Sequence, residues 1–323
     1  MTNSQEYWRK RAEEAMRQEA KSDREIAKEM QSIVDLMNDD ISDAIHAFYA
    51  KYAKAEGLTI EDAKKKIDRT DIRKLENKAK QYVNNKDFSD KANAELKQYN
   101  TKMYVSRERM IQMQLGLLVT YAYAQLETQM YNYMESAIYR EMQRQAGLIG
   151  ATVQITQDKL QAIINTPFEG VEWSKRIWRD MEHTRKTVQK AVRHNLLRGR
   201  HPKEFVSEIR KQSNATSYQA KRLLITETAR VQSEAQRLSY IATLGEDAEY
   251  EFKAFLDDRT TQICRKHNKN VYKVSDMQAG VNAPPMHPNC RSFTVPHVGD
   301  WRDAFFKKRE GKYSFDGIDI EVE

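Results

Sequence analysis

The sequence predicts a mainly α protein with elongated helical N-terminal and central regions and a small α+β domain near the C-terminal end. Residues 1–146 contain no proline and only two glycines, Gly57 and Gly116. Helix is the default for a stretch with so few breakers. From Tyr250 onward apolar and polar residues alternate, which is typical of strands. Charged residues make up 31% of the chain, and this favours long helices with wide solvated faces over one large core.

These patterns divide the chain into four segments. We predict an elongated helical domain at 1–150, a central helical region with a basic face at 151–245, a small α+β domain clasped by Cys and His at 246–310, and a mobile acidic tail at 311–323. The longest apolar run, Leu115–Leu126, is too short for a bilayer span of about 20 residues. Two cysteines without a signal-peptide pattern favour a reducing compartment.

Apolar residues that recur at three- and four-residue steps indicate the helices, and helix-breaking residues set their predicted ends. The predicted helices are Trp8–Glu56, one from Ile60 to a break near 84–87, Tyr104–Gln145, Trp173–Leu197, Lys203–Gln212, Tyr218–Thr243 and Trp301–Glu310. Ser22 opens a capping-box pattern and marks a candidate restart within the first of them. Gly147 and Gly150 are expected to end the third. The predicted strands are Tyr250–Leu256, Val271–Val274 and Ser292–Val295.

The helix at 173–197 carries a concentration of positive charge. From Val171 to Arg222 there are 14 Lys or Arg and 5 Asp or Glu, a net of +9, whereas the whole chain carries +7. Five of these cations fall within an arc of about 60° on a helical projection: Lys175, Arg179, Lys186, Lys190 and Arg193. Such a face suits non-specific contact with the phosphates of double-stranded DNA. The alternative is an ordinary solvated face.

The helix predicted after this basic face gives no sign of sequence-specific DNA recognition. His201–Arg210 looks like the first helix of a helix-turn-helix, but no recognition helix follows in register. Glu227 lies near the buried stripe of the helix at 218–243. Because a buried unpaired carboxylate is costly, we predict that Glu227 pairs with Arg259. Asp257 and Arg259 are expected to form a local salt-bridged clasp, so these three residues are the predicted structural clasp.

Both cysteines of the chain lie in two short Cys/His pairs. The pairs are Cys264-x-x-His267 and His287-x-x-Cys290. Two short ligand pairs joined by a longer loop are typical of a structural zinc site, which needs four ligands at tetrahedral corners. The alternatives are a packed loop with two reduced thiols and incidental histidines, or a disulfide, which a reducing compartment disfavours.

The same stretch resembles a known family. The motif D-x-R-T-x-x-x-C at 257–264, followed by P-P-x-H-P-N-C-R at 284–291, is similar to the C-terminal signature of the phage Mu F-like head morphogenesis family. Upstream, R-L-L-I-T-E-T-A-R at 222–230 and W-S-K-R-I-W at 173–178 also resemble the family, in the family's order. The resemblance covers about residues 150–300.

The resemblance implies a minor head protein of a tailed bacteriophage. Such proteins lie inside the capsid near the portal and act in head assembly or DNA delivery, after assembly in the bacterial cytoplasm. The implied partners are the portal protein, the inner capsid or scaffold, and DNA; homo-oligomerisation stays open. Zinc-binding members carry further cysteines where this chain has Thr261 and Ser292. That leaves Cys264, His287 and Cys290 as matched ligands, with His267 as the fourth.

An enzyme is the less favoured interpretation. A zinc-dependent nuclease could be built from the matched trio and a water, with Asp257 and Asp258 as the available carboxylates. The sequence has no Gly-rich phosphate loop and no G-x-S-x-G elbow. We therefore expect a structural and interaction protein rather than an enzyme. A cellular regulator with a zinc-stapled domain is a third, weaker hypothesis.

Overall fold

The computed structural model describes residues 4–52, 62, 65–66, 69–84, 88–99, 106–149, 153–197 and 202–297. Some predicted features lie outside these ranges: the helix end at Gly57, most of residues 60–68 at the start of the predicted second helix, the last helix at 301–310 and the acidic tail.

The described chain is mainly helical, with a small antiparallel sheet near its C-terminal end, as predicted. The helices are α1 (Ser4–Tyr52), α2 (Arg69–Asn84), α3 (Asp90–Lys97), α4 (Arg107–Ile149), α5 (Gln157–Asn165), α6 (Trp173–Leu197), α7 (Pro202–Leu244) and α8 (Gln262–His267), with a short 3₁₀ turn at Val274–Asp276. The strands are β1 (Glu249–Lys253), β2 (Val271–Lys273) and β3 (Phe293–His297).

Helix α4 is the centre of a bundle that also contains α1, α6 and α7. Its 43 residues span about 65 Å at 1.5 Å per residue. It is apolar almost all round, since Leu115, Leu117, Val119 and Ala124 are each fully buried. A helix that is apolar on every side must be enclosed by other elements. One continuous core therefore runs from α1 through α4 to α6 and α7.

Helix α1 is a single helix through Ser22, where the sequence left one long helix or two open. Helix α7 differs from the prediction because tertiary contacts override local break signals: it is a single helix through 213–217, where two helices were expected. The polar residues of that segment are satisfied without a break. Thr216 donates to the carbonyl of Gln212 over 3.1 Å, and Ser217 donates to the side-chain oxygen of Gln31 on α1 over 2.7 Å.

The sheet has the strand order β2-β1-β3, and both pairings are antiparallel. Tyr250 lies opposite Tyr272 on one side and Pro296 on the other. Tyr250 and Phe252 are fully buried, as the alternating pattern predicts, and Leu256 lies beyond the strand and is exposed. Tyr250, Phe293 and Val295 pack with residues of α1, α4 and α7, and Phe252 packs with the two cysteines.

Candidate metal centre

The two cysteines are brought together by a short helix and a tight turn. Thr261 caps α8, where its hydroxyl accepts from the amide of Cys264 over 3.5 Å. The segment His287–Cys290 forms a tight turn, in which the amide of Cys290 donates to the carbonyl of His287 over 3.1 Å. Asn289 has φ 58° within this turn, a left-handed conformation that Asn tolerates better than most residues.

Cys264, His287 and Cys290 form one cluster whose ligand atoms all lie within 4.8 Å of one another. Cys264 Sγ lies 3.2 Å from His287 Nε2 and 3.7 Å from Cys290 Sγ. Zinc bond lengths of about 2.3 Å to sulfur and 2.0–2.1 Å to nitrogen place tetrahedral ligands about 3.8 Å (S to S) and 3.6 Å (S to N) apart. The two distances from Cys264 are close to those of a zinc site, and both thiols are free.

The ring of His287 is oriented for metal binding. Its Nδ1 lies 2.9 Å from the carbonyl oxygen of Pro288. Because a carbonyl only accepts, Nδ1 carries a proton, which leaves Nε2 as the ring atom that could bind a metal. Nε2 lies 3.2 Å from Cys264 Sγ. A backbone carbonyl that fixes the tautomer in this way is typical of metal-binding histidines.

The two thiols are coupled by a hydrogen bond. A hydrogen bond from Cys290 lowers the pKa of Cys264 to about 5, and the hydroxyls of Ser292 and Thr261 and the nearby His287 also lower it. The same hydrogen bond, together with burial, raises the pKa of Cys290. The thiolate is the form of cysteine that binds metals. Cys264 is therefore the sulfur prepared for a metal ion, and a bound cation would displace the second proton.

His267 does not join this cluster, so its prediction as the fourth ligand is wrong. Its Nδ1 lies 2.8 Å from the hydroxyl of Tyr272, and its ring centroid lies 5.5 Å from that of Phe252. The sequence interval placed His267 one helical turn beyond Cys264. That turn faces the sheet, where β2 supplies a partner for the imidazole.

Thr261 and Ser292 lie beside the cluster. These are the positions at which the family resemblance implies further cysteines, and both hydroxyls lower the pKa of the Cys264 thiol. The described part of the chain therefore groups three candidate metal ligands, with two hydroxyl side chains beside Cys264.

The predicted clasp between Asp257 and Arg259 is corrected to one between Asp257 and Arg291. Both carboxylate oxygens of Asp257 accept from the Arg291 guanidinium, each over 2.6 Å. Arg259 contributes only its backbone amide, 2.9 Å from Asp257 Oδ1. The Arg291 guanidinium holds the pKa of Asp257 well below its usual range. The clasp thus ties the loop before α8 to the residue that follows Cys290.

The predicted pairing of Glu227 with Arg259 is also wrong. Glu227 pairs with Arg230, one turn further along α7, with Oε2 and Nε 2.7 Å apart. Arg230 also donates to the carbonyl oxygens of Ile163 and Ile164 at the end of α5, each over 2.8 Å. Both side chains are buried, so the expected cost of an unpaired carboxylate is avoided within one helix.

A row of polar residues on α7 attaches the C-terminal unit, and the sequence analysis missed it. Ser233 donates to the carbonyl of Pro284 over 2.5 Å, and Thr226 accepts from the amide of Asn289 over 3.2 Å. Gln236 accepts from Thr294, 2.6 Å away, and the Tyr240 hydroxyl also lies 3.2 Å from Thr294 Oγ1. These residues recur at steps of seven, three and four, which could have indicated a second, polar interface on the helix.

The five cations predicted to contact DNA are all exposed on α6. Ile177, Met181, Val188 and Val192 point into the core on the other side. Acidic neighbours lie close to several of the cations: Lys175 Nζ is 3.1 Å from Glu172, Lys186 Nζ is 3.3 Å from Glu182, and Arg193 Nε is 3.5 Å from Glu108. The cations therefore form one solvent-facing surface, partly balanced by carboxylates.

The fold and the site together define a class of protein: a helical bundle with a small antiparallel sheet beside a Cys–His–Cys cluster. The model of the family described as Phage Mu protein F like protein matches residues 186–295, about a third of the chain. This match confirms the resemblance indicated by the sequence motifs and indicates a phage head-related protein. No curated protein and no solved structure gives a significant match. Within the described residues, no helix has both the length and the apolar character needed to cross a membrane.

Proposed function

We propose that this chain is a minor head protein of a tailed phage, carried inside the capsid near the portal. It acts in head assembly and in the binding and delivery of DNA. The observation that carries the proposal is the family match at 186–295, because it covers the end of α6, all of α7 and the clasped sheet. The long bundle supplies docking surface for the portal protein, inner capsid or scaffold.

The basic face of α6 is the proposed DNA contact. Side chains of Lys175, Arg179, Lys186 and Arg193 are between 64% and 74% exposed. Their carboxylate partners hold them weakly, since exposed ion pairs contribute about 0–1 kcal/mol. DNA phosphates can replace those carboxylates, and each neutralised phosphate releases counterions. Binding should therefore weaken steeply with salt and show no sequence preference.

The cluster is proposed as a structural zinc site rather than a catalytic one. Cys264, His287 and Cys290 would hold the ion, which when bound supplies a cross-link between α8 and the loop before β3. A small sheet has few residues to bury, so such a cross-link stabilises it. Among the described residues no carboxylate lies within the cluster. Asp257, seven residues before Cys264, has both carboxylate oxygens engaged by Arg291 and is a poor general base.

A zinc-dependent nuclease is the second candidate, favoured by a single observation. Catalytic zinc keeps three protein ligands and an open position, and this cluster has three ligands. Purified protein incubated with plasmid DNA separates the candidates. DNA cleavage that a chelator abolishes supports the nuclease. If the protein does not cleave DNA and unfolds when the chelator is added, the result supports the structural site.

Mass spectrometry of virions tests the location. Full particles and particles that have ejected their genome are compared, with the portal protein as the reference for copy number. The proposal predicts the chain in full particles, and its loss after ejection identifies a protein delivered with DNA. Absence from both kinds of particle contradicts the virion assignment.

Electrophoretic mobility shift of linear duplex DNA tests the α6 face. The Lys186→Glu/Lys190→Glu variant should bind weakly to all sequences. The matched control is Arg73→Glu/Lys80→Glu, which makes the same charge change at exposed positions on α2. Equal weakening by both variants, or binding that is insensitive to salt, contradicts the assignment of this face.

A further inference from the structure

A second basic surface lies in a cavity between α1, α7 and the loops around the Cys–His–Cys cluster. The cavity has a volume of about 600 Å³, within the range of roughly 300–1,000 Å³ that is typical of sites for small ligands. Four cations line it: Arg24 on α1, Lys221 and Arg222 on α7, and Arg259 before α8. In the described parts of the chain, no ion pair within 4.0 Å joins these four to a carboxylate.

The opposing charge in the cavity is smaller and comes from Asp23 and from Cys264, whose thiol has a lowered pKa. Asp23 also lines it, and burial raises the pKa of this carboxyl to about 6. Its carboxylate accepts from the hydroxyl of Tyr133 over 2.8 Å. Arg291 contributes a further cation, whose charge Asp257 balances. The lining therefore carries a net positive charge, which is what an anionic group requires.

Two large aromatic side chains line the cavity and remain accessible. Tyr218 on α7 is 59% exposed and Phe255 after β1 is 36% exposed. Exposed aromatic rings beside a basic groove are the arrangement by which proteins bind single-stranded nucleic acid, since bases stack on the rings while cations follow the backbone. A cavity of this size admits a nucleotide but not a duplex.

The cavity connects to the basic face of α6. Arg222 lines both the cavity and a neighbouring depression of about 190 Å³, which Arg176 and Arg179 of α6 also line. Three arginines thus link the α6 face to the cavity, although Glu169 and Asp180 also line the depression. Cys264 and His287 line the far wall, so an anion bound there lies beside the proposed metal site.

We propose that this cavity is a binding site for a phosphate group of single-stranded DNA, with the adjoining base stacked on Tyr218 or Phe255. The site deepens the proposed function, since it rests on the chain being a DNA-contacting head protein. It is distinct from the α6 face because it takes a single strand or a strand end. A duplex that lies along α6 and presents an unpaired end would reach both surfaces.

Fluorescence anisotropy of the full chain with a labelled ten-nucleotide oligothymidine tests the proposal. An Arg24→Ala/Lys221→Ala variant should weaken binding of the oligonucleotide by about tenfold or more, and Tyr218→Ala by about tenfold, as expected for lost phosphate contacts and stacking. Both should change duplex binding less than about twofold, since that contact lies on α6. Circular dichroism checks that each variant is folded; Arg24 and Tyr218 are exposed.

The α6 variant Lys186→Glu/Lys190→Glu separates this proposal from the proposed function. If the α6 variant loses duplex binding while the cavity variants bind the oligonucleotide like the unchanged protein, the cavity proposal is overturned and the DNA face stands. If the cavity variants lose the oligonucleotide and the α6 variant keeps the duplex, the cavity stands and the assignment of the α6 face fails.

Competition identifies the occupant. Thymidine monophosphate should displace the oligonucleotide at a lower concentration than inorganic phosphate, because the base adds stacking. Equal displacement by both, with no effect of Tyr218→Ala, reduces the site to one for free phosphate and overturns the nucleic-acid proposal. Displacement by a peptide of the acidic segment 311–323, but not by thymidine monophosphate, assigns the cavity to a protein segment instead.

Discussion

The buried pair of Glu227 and Arg230 gives the sharpest test of how α7 organises the fold. The exposed fraction is 0% for the Glu227 side chain and 6% for Arg230. Arg230 uses its guanidinium three times, on Glu227 and on the last carbonyls of α5. Arg230→Met therefore leaves a buried carboxylate and two carbonyl oxygens without their donor.

The size of the effect follows from the desolvation of these groups. Removing one partner of a buried ion pair costs about 3–5 kcal/mol, because the other charge stays uncompensated. Replacing both partners with apolar residues is often close to neutral. We therefore expect Arg230→Met and Glu227→Leu each to lower the free energy of unfolding by about 3–5 kcal/mol. The double variant should lose far less than the sum of the two.

Urea unfolding followed by circular dichroism measures these free energies. The control is the pair Glu234–Arg237 on the same helix, which has the same spacing but side-chain exposures of 32% and 29%. Arg237→Met should cost less than about 1 kcal/mol, as expected for a solvated pair. Equal costs at Arg230 and Arg237, or additive effects of Glu227→Leu and Arg230→Met, would refute the reasoning.

Three further predictions concern single positions. Because burial raises the pKa of Asp23 from 3.8 to about 6, its ionisation lowers the free energy of unfolding progressively between those two pH values and fully above them. Asp23→Asn should therefore stabilise the protein by about 1–3 kcal/mol at pH 7.5, whereas urea unfolding at pH 4 should show almost no difference. Ser292→Cys places a thiol beside Cys264 and should raise zinc affinity at least ~10-fold. Competition with a chromophoric chelator measures this affinity, and an unchanged value means that Ser292 does not face the ion. In Gly116→Ala the new methyl would lie 2.7 Å from the Tyr99 hydroxyl, so we expect thermal unfolding to show a loss of about 1–2 kcal/mol in the free energy of unfolding. Adding Tyr99→Phe should recover part of this loss, and no recovery would point to another cause.

The sequence predicted the fold class because its signals are local. Scarce breakers and the apolar steps of α4 indicate helix, and the alternation at 250–254 indicates a strand. Helix α7 was divided wrongly, because the side chains at 216 and 217 find partners on the preceding turn and on α1. Local composition cannot show such partners.

The candidate site was predicted in part for a similar reason. Motif spacing brought Cys264, His287 and Cys290 together correctly, since both pairs bracket one loop. The same spacing included His267, whose direction depends on Tyr272 across the sheet. Arg291 was missed as the partner of Asp257 because the two are 34 residues apart in sequence. Their contact depends on how the loop between them folds back, which local sequence patterns do not show.

Native mass spectrometry of the purified chain tests the central claim, that the Cys–His–Cys cluster is a metal clasp that holds the small sheet on the bundle. We predict one zinc ion per chain, lost in Cys264→Ser and in His287→Ala but kept in His267→Ala. A chain that carries no zinc after expression in zinc-supplemented medium, or that keeps its zinc in Cys264→Ser, would contradict the claim.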